Sequence, residues 1–143
     1  MVFKEFDLTI PFTEDQETGL SYPIVTARFL ATTGRWETLP LLFDTGASDI
    51  CLRPKYGQFF GPAAAENVNA VGDANPRQAL VAKSKIELFG LVQDCEVVLV
   101  DIPGSPLFAG LLGRSCLSPF EFGYSQSSRQ LHVQVMGQFI VHS

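Results

Sequence analysis

The stretch of sequence that decides the fold is Leu39-Pro40-Leu41-Leu42-Phe43-Asp44-Thr45-Gly46-Ala47-Ser48, followed after Asp49 by the apolar Ile50-Cys51-Leu52. An apolar run typical of a buried strand ends at a carboxylate, and a hydroxyl, a glycine and two small residues come next. Chance alone supplies an Asp-Thr/Ser-Gly triplet in roughly one chain of this length in fifteen. Taken by itself, Asp44 is therefore a residue that ends a strand and starts a turn. The apolar residues on both sides make Asp44 a candidate catalytic residue.

Length and composition bound the possibilities. The chain has 143 residues, nearly half of them hydrophobic and 17% charged, which indicates one globular domain over residues 1–143. No apolar run approaches the roughly 18 residues that a membrane span needs. The first seven residues carry acids where a signal peptide has a basic and then an apolar stretch. We therefore expect a soluble, cytoplasmic protein with no membrane partner.

The net charge and the cysteines further narrow the possible classes of partner and cofactor. The net charge is −5 and no basic run is interleaved with aromatic residues, so nucleic acid is not an expected partner. The three cysteines, Cys51, Cys95 and Cys116, are widely spaced and odd in number. This suits a reducing compartment in which each thiol acts as a small buried apolar group. Because no Cys-x-x-Cys or His-x-x-x-His spacing is present, we predict no metal and no cofactor.

Apolar and polar residues alternate along much of the chain, as in half-buried strands. We predict strands at residues 5–10, 25–31, 36–43, 85–89, 95–101, 120–124, 130–135 and 138–142, with residues 107–112 apolar. Residues 67–71 and 77–81 form a candidate hairpin around residues 72–76, and residues 57–67 are interpreted as a loop with at most one helical turn. One helix is predicted near the C-terminus, beginning near Gly113 and ending by Pro119. The pattern predicts an all-β domain.

A second motif, Ala109-Gly110-Leu111-Leu112-Gly113-Arg114, lies roughly seventy positions after Asp44. Two apolar residues followed by Gly-Arg and a short helix, downstream of Asp-Thr-Gly, resemble the signatures of the retropepsin-like, or retroviral-type, aspartic proteases. The resemblance covers roughly residues 20–135 and is nearer to single-domain bacterial and cellular members than to the viral enzymes. It implies an all-β, closed acid-protease barrel with one short helix near the C-terminus.

The resemblance also implies roles for the second motif. Leu111 and Leu112 would cross behind the aspartate loop and bury it, and Gly113 would allow close backbone approach. Arg114 would form a bidentate bond to an acid near the site. Viral members often carry that acid where this chain has serine, so Asp49 is the candidate partner.

The family's chemistry needs two aspartates that share one proton across a bound water. This chain has a single Asp-Thr-Gly, and residues 101–104, Asp-Ile-Pro-Gly, are not a second copy. The resemblance therefore implies a two-fold homodimer, with Asp44 from each chain on the axis and a polypeptide as the substrate.

The residues after the catalytic aspartate have implied roles as well. Thr45 would form a hydrogen bond across the dimer axis, and Gly46 would leave room for the substrate backbone. Ala47 has no hydroxyl to donate to the carboxylate, unlike the serine of pepsin-like enzymes. One donor fewer to the charged form favours an activity optimum from mildly acidic to near-neutral pH.

Three alternatives remain open at this stage. The first is a catalytically inactive dimeric peptide-binding or scaffolding module with the same fold. The second is a plain β-barrel dimer in which Asp44 is only a turn residue. The third is a nucleophilic pair of Cys116 and His132, which lacks any local signature. The candidate hairpin around residues 72–76 is either a flap over the substrate or an ordinary surface hairpin.

Overall fold

The computed structural model of the chain describes residues 8–61, 64–69 and 76–135. Within these residues the chain forms strands and two short 3-10 helices, Pro54–Phe59 and Arg114–Cys116. The strands are β1 (Leu8–Pro11), β2 (Thr13–Glu14), β3 (Ser21–Tyr22), β4 (Ile24–Leu30), β5 (Trp36–Phe43), β6 (Ile50–Leu52), β7 (Ala64–Asn69), β8 (Pro76–Leu88), β9 (Leu91–Leu99), β10 (Gly110–Leu112), β11 (Phe120–Ser125) and β12 (Gln130–Val135).

Six of the strands close into a barrel. The order is β4-β5-β10-β6-β9-β8, and β8 pairs back onto β4 through Arg28 opposite Glu87 and Phe29 opposite Ile86. β7 extends the sheet outward from β8. The prediction of an all-β, closed acid-protease barrel is confirmed.

The barrel strands follow from the alternation of the sequence. In β4, Val25, Ala27 and Phe29 are buried in the main core, and Thr26 between them is exposed. The long hairpin of β8 and β9 turns at Phe89 and Gly90, whose φ values of 51° and 84° are both left-handed. Two consecutive left-handed residues make a tight turn whose twist matches that of the flanking strands. This turn fixes the register in which Leu88 faces Leu91.

A smaller sheet, in the order β1-β12-β11, packs against the barrel. Aromatic rings fill the contact: Phe122 lies 4.6 Å from Phe43 between ring centroids, and Phe120 lies 5.2 Å from Phe89. Because Phe43 directly precedes Asp44, this sheet supports the strand that delivers the carboxylate.

Several predicted elements differ in extent from the observed ones. Residues 57–67, interpreted as a loop with at most one helical turn, contain the end of the first 3-10 helix, which agrees with that turn, and the beginning of β7, which does not. The backbone of residues 64–69 pairs with β8, so tertiary pairing overrides the weak strand propensity of an alanine-rich segment. The predicted helix after Gly113 is confirmed only as a single 3-10 turn.

The candidate hairpin is confirmed where it can be seen, since Asn67 faces Gln78 and Asn69 faces Pro76. Its tip at residues 72–75, the strand at residues 138–142 and the first part of the strand at residues 5–10 lie outside the described residues. In the described part of the chain, no helix is long and apolar enough to cross a membrane.

All three cysteines are buried and free, as predicted from their spacing. Burial raises the pKa of the Cys51 thiol to about 11 and that of the Cys95 thiol to about 12. The pKa of Cys116 is also raised by burial. The thiolate is the nucleophilic form of a thiol, so burial and the raised pKa values make these side chains poor nucleophiles in the folded protein.

We therefore predict that a disulfide-exchange reagent at pH 8 leaves the folded chain unmodified and titrates three thiols per chain once the protein is unfolded in guanidinium chloride. The measurement is the absorbance of the released thiolate with and without denaturant. Rapid stoichiometric modification of the folded chain would show that these thiols are accessible.

Candidate active site

Asp44 is the first residue after β5, and its backbone is fixed on two sides. Its amide donates to the carbonyl oxygen of Leu112 at 3.1 Å, which ties the end of β5 to β10. Its carbonyl accepts the amide of Ala47 at 3.2 Å. The Oδ1 atom of its own carboxylate accepts the amide of Gly46 at 2.9 Å. The half-buried carboxylate is thus held in one orientation by a tight turn of its own loop.

β10 lies directly behind this turn. It runs parallel to β5, with Leu111 opposite Leu42, and antiparallel to β6, with Leu111 opposite Cys51. Leu111 and Leu112 are both buried, on opposite faces of the strand: Leu112 belongs to the main core and Leu111 to a second apolar cluster. The pair therefore separates the aspartate loop from the barrel interior and gives it an apolar backing.

Two glycines permit this arrangement because the backbones approach closely. A methyl group at Gly110 would overlap the carbonyl oxygen of Cys51. A methyl group at Gly113 would overlap the carbonyl oxygen of Asp49 and lie 2.7 Å from the amide nitrogen of the same residue. Backbone atoms cannot move aside as a flexible side chain can, so only glycine fits at either position.

Backbone hydrogen bonds continue the support beyond β10. The amide of Arg114 donates to the carbonyl of Ala47, and the amide of Ser115 donates to the carbonyl of Ser48, each at 3.0 Å. Together with the bond from Asp44 to Leu112, they attach both ends of the Asp-Thr-Gly-Ala-Ser turn to the second motif. The structure therefore brings the two motifs into direct contact.

The side chain of Arg114 has a different environment from the one that the resemblance implied. It is exposed, and among the described residues its guanidinium makes no ion pair with Asp49. The carboxylate of Asp49 accepts a hydrogen bond from the Ser48 hydroxyl at 3.1 Å instead. In this single chain, Arg114 supports the loop through its backbone amide, and a role for its guanidinium stays a prediction.

The sequence analysis did not identify Arg53, a charged residue whose contacts lead to the strand behind Asp44. Arg53 follows β6 directly, and its guanidinium donates to the carbonyl oxygens of Phe108, Ile102 and Ser105 at 2.7, 3.3 and 3.2 Å. The one available signal was a lone arginine between an apolar strand and a proline. The carbonyls that bind it lie about fifty positions away, so no local pattern reveals them.

A buried polar pair was missed as well. Asp15 and Ser105 are both buried, and the Ser105 hydroxyl donates to Oδ2 of Asp15 at 2.8 Å. The amide of Glu17 donates to Oδ1 at 2.9 Å. These hydrogen bonds, that from Ser105 first, lower the pKa of Asp15. The pair links the β2–β3 hairpin to the loop that leads into β10.

His132 and Cys116, the candidate nucleophilic pair, lie in environments typical of structural residues. His132, on β12, shares a hydrogen bond of 3.0 Å with the Thr9 hydroxyl through Nδ1. Cys116 is buried in the second 3-10 helix. A cavity of about 500 Å³ opens beside Asp49 and Ser115, and Asp44 is not one of its lining residues.

A closed six-stranded barrel whose Asp-Thr-Gly turn is backed by a buried Leu-Leu-Gly strand defines the class of fold, which is retropepsin-like. No protein-family model and no curated protein matches the sequence. Among solved structures, the chain is similar to a retropepsin-like aspartic protease from Rickettsia conorii, with a TM-score of 0.56 and 17% identity over 92% of this chain and 96% of that one. It is also similar to EIAV protease in complex with the inhibitor HBY-793, with a TM-score of 0.48 and 20% identity over 73% and 90%. At 17% identity, the likeness to the Rickettsia structure shows the fold.

The close contact of Gly113 with the backbone of Asp49 predicts that a larger residue at position 113 destabilises the fold. We expect Gly113→Ala to lower the free energy of unfolding by about 1–3 kcal/mol or more, because the added methyl overlaps backbone atoms. Gly34→Ala is the matched control: nothing lies within 4 Å of its added methyl, and only its φ of +86° is unfavourable. That conformational penalty is about 1–2 kcal/mol.

Urea unfolding measures both variants, and amide exchange at residues 44–48 separates a local from a global effect. We expect faster exchange at those residues in Gly113→Ala alone. Equal stability loss and equal exchange in the two variants would contradict the packing described here.

Proposed function

We propose that this chain is an aspartic endopeptidase that hydrolyses peptide bonds in polypeptides, with each active site built from Asp44 of two identical chains. The observation that carries the proposal is the Asp44 carboxylate itself. It is half-buried at the end of a barrel strand and fixed by the Gly46 amide and, through the backbone, by Leu112. The retropepsin-like fold supports the same function.

The chemistry follows from two carboxylates at contact distance. Both cannot ionise at low cost, so one stays protonated while the other is charged. The charged carboxylate takes a proton from water as the water oxygen attacks the peptide carbonyl, and the protonated one donates to the carbonyl oxygen. Collapse of the resulting tetrahedral intermediate breaks the C–N bond and transfers a proton to the leaving amine. Holding each carboxylate in one orientation before substrate arrives favours this sequence.

A homodimer is part of the proposal because the chain supplies one Asp-Thr-Gly turn. In the single chain Thr45 and Gly46 are exposed although the backbone around them is fixed. A rigid turn with an exposed hydroxyl suits contact with the same turn of a partner across a two-fold axis. Buried free thiols suit a reducing compartment, in agreement with the expected cytoplasmic location.

The substrate would be an extended polypeptide. The second apolar cluster, which contains the buried Ala47 and Leu111, backs the aspartate turn, and half-buried apolar side chains packed against it, such as Leu42 and Leu107, leave apolar surface for the side chains of a substrate. β7 is the last strand of its sheet among the described residues, and an extended peptide binds by pairing with such free edges. The β7–β8 hairpin is the candidate flap.

Asp44→Asn tests the proposal. We expect the substitution to reduce cleavage of a peptide library by about 10²–10⁴-fold, because an amide can neither take the proton of water nor share one with a second carboxylate. Glu14→Gln is the control, since it removes an exposed carboxylate on β2 and should leave cleavage unchanged. Mass spectrometry of the digest measures cleavage, and sedimentation measures the mass in solution.

The wild type and both variants should sediment as dimers. Peptide binding without cleavage by the wild type would favour the inactive peptide-binding or scaffolding module. Full cleavage by Asp44→Asn, or cleavage by a strictly monomeric wild type, would contradict the proposed site.

A further inference from the structure

We propose that Arg53 is a positioning residue for Asp44, which it controls through the segment of residues 100–109. Its consequence for catalysis rests on the proposed function, whereas its consequence for the geometry of the Asp44 turn does not. The proposal is carried by the contacts of the guanidinium, the buried pair beside it and the backbone path to β10.

The Arg53 side chain binds the segment of residues 100–109 through hydrogen bonds to its backbone carbonyls. It donates to carbonyls at three separate points, Ile102, Ser105 and Phe108, and its guanidinium carbon lies 5.4 Å from the centroid of the Phe108 ring. One planar group with five donors can fix the spacing of three carbonyls and stack on an aromatic face. A lysine ammonium offers a point charge and cannot reproduce that arrangement.

Ser105 joins this arrangement to a charge of opposite sign. Its carbonyl accepts from Arg53, and its hydroxyl donates to the buried Asp15 carboxylate and accepts the Leu107 amide at 3.2 Å. The segment is therefore held between a guanidinium on one side and a carboxylate on the other. Hydrogen bonds to charged groups are stronger than neutral ones, so both attachments resist opening.

The same segment continues directly into the strand behind the catalytic turn. The Arg53 amide donates to the carbonyl of Ala109 at 3.1 Å, and the Ala109 amide donates to the carbonyl of Pro40 at 2.7 Å. Ala109 immediately precedes β10, whose last residue, Leu112, accepts the Asp44 amide. β10 has three residues, so its register relative to β5 depends on how the segment enters it.

The chain provides a matched control in Arg28. It is also half-buried, stacks on an aromatic ring, Trp36, at 5.4 Å and donates to Glu87 at 3.2 and 3.3 Å. Its partners lie on the β4–β8 seam of the barrel and not in residues 100–109. Replacing it removes comparable contacts without touching the path to Asp44.

The experiment compares Arg53→Met and Arg53→Lys with Arg28→Met. Amide exchange is measured at residues 102–109 and 44–48, and kcat and KM are measured with a cleaved peptide. In both Arg53 variants, and not in Arg28→Met, we expect faster exchange at both stretches. We expect kcat to fall about 10- to 100-fold with a smaller change in KM, because misplacement of a catalytic group by about 1 Å can cost 10²-fold. Should Arg53→Met not fold, Arg53→Lys carries the same comparison.

A rescue experiment separates positioning from simple loss of stability. In Arg53→Ala, millimolar guanidinium ion should restore part of kcat and slow exchange at residues 44–48, and the same concentration of sodium chloride should not. Unchanged exchange at residues 44–48 in the Arg53 variants would overturn the proposal, and so would faster exchange with an unchanged kcat. If the wild type cleaves no peptide, the proposed function fails. The exchange rate of the Gly46 amide, measured without reference to activity, then decides whether Arg53 positions the turn.

Discussion

The contact between the backbones of Gly113 and Asp49 is the constraint on which the rest of the structure depends. It exists because Gly113 has no side chain that would overlap the backbone of Asp49, and it lets β10 enter between β5 and β6. Without β10 the barrel has no strand between β5 and β6, and the Asp44 amide loses the carbonyl of Leu112. The insertion of β10 therefore both closes the barrel and fixes the position of the Asp44 carboxylate.

The support of the Asp44 turn combines two kinds of force. Apolar packing of Leu111 and Leu112 excludes water from behind the turn, but it is not directional and does not by itself fix a register. Direction comes from hydrogen bonds, many of them from backbone groups, and from the two charged side chains Arg53 and Asp15 on either side of Ser105. Their charges are met by backbone and hydroxyl groups, because a half-buried guanidinium and a buried carboxylate both need partners.

Features that depend on local pattern could be predicted from the sequence. The alternation of β4 and the apolar run before Asp44 reflect neighbours within a few residues, and they predicted the all-β class. The closed barrel and the contact of the two motifs were implied by the resemblance that the two motifs carry. Only the first half of β7, residues 64–66, was missed, because its pairing with β8 outweighs a weak local preference. Arg53 and the Asp15–Ser105 pair were missed because their partners are fifty to ninety positions away. For Arg114 the structure adds a contact through the backbone amide, and the side-chain role implied by the resemblance stays a prediction.

The central claim is that each active site contains Asp44 from two chains, and mixing subunits tests it most directly. Wild-type chain is unfolded and refolded together with a tenfold excess of Asp44→Asn chain, so that the chains pair at random, and peptide cleavage is compared with that of the same amount of wild type refolded alone. If both carboxylates are required, only wild-type pairs are active, and cleavage falls to about one tenth. Cleavage that stays unchanged in the mixture would show that each chain acts alone and would contradict the account.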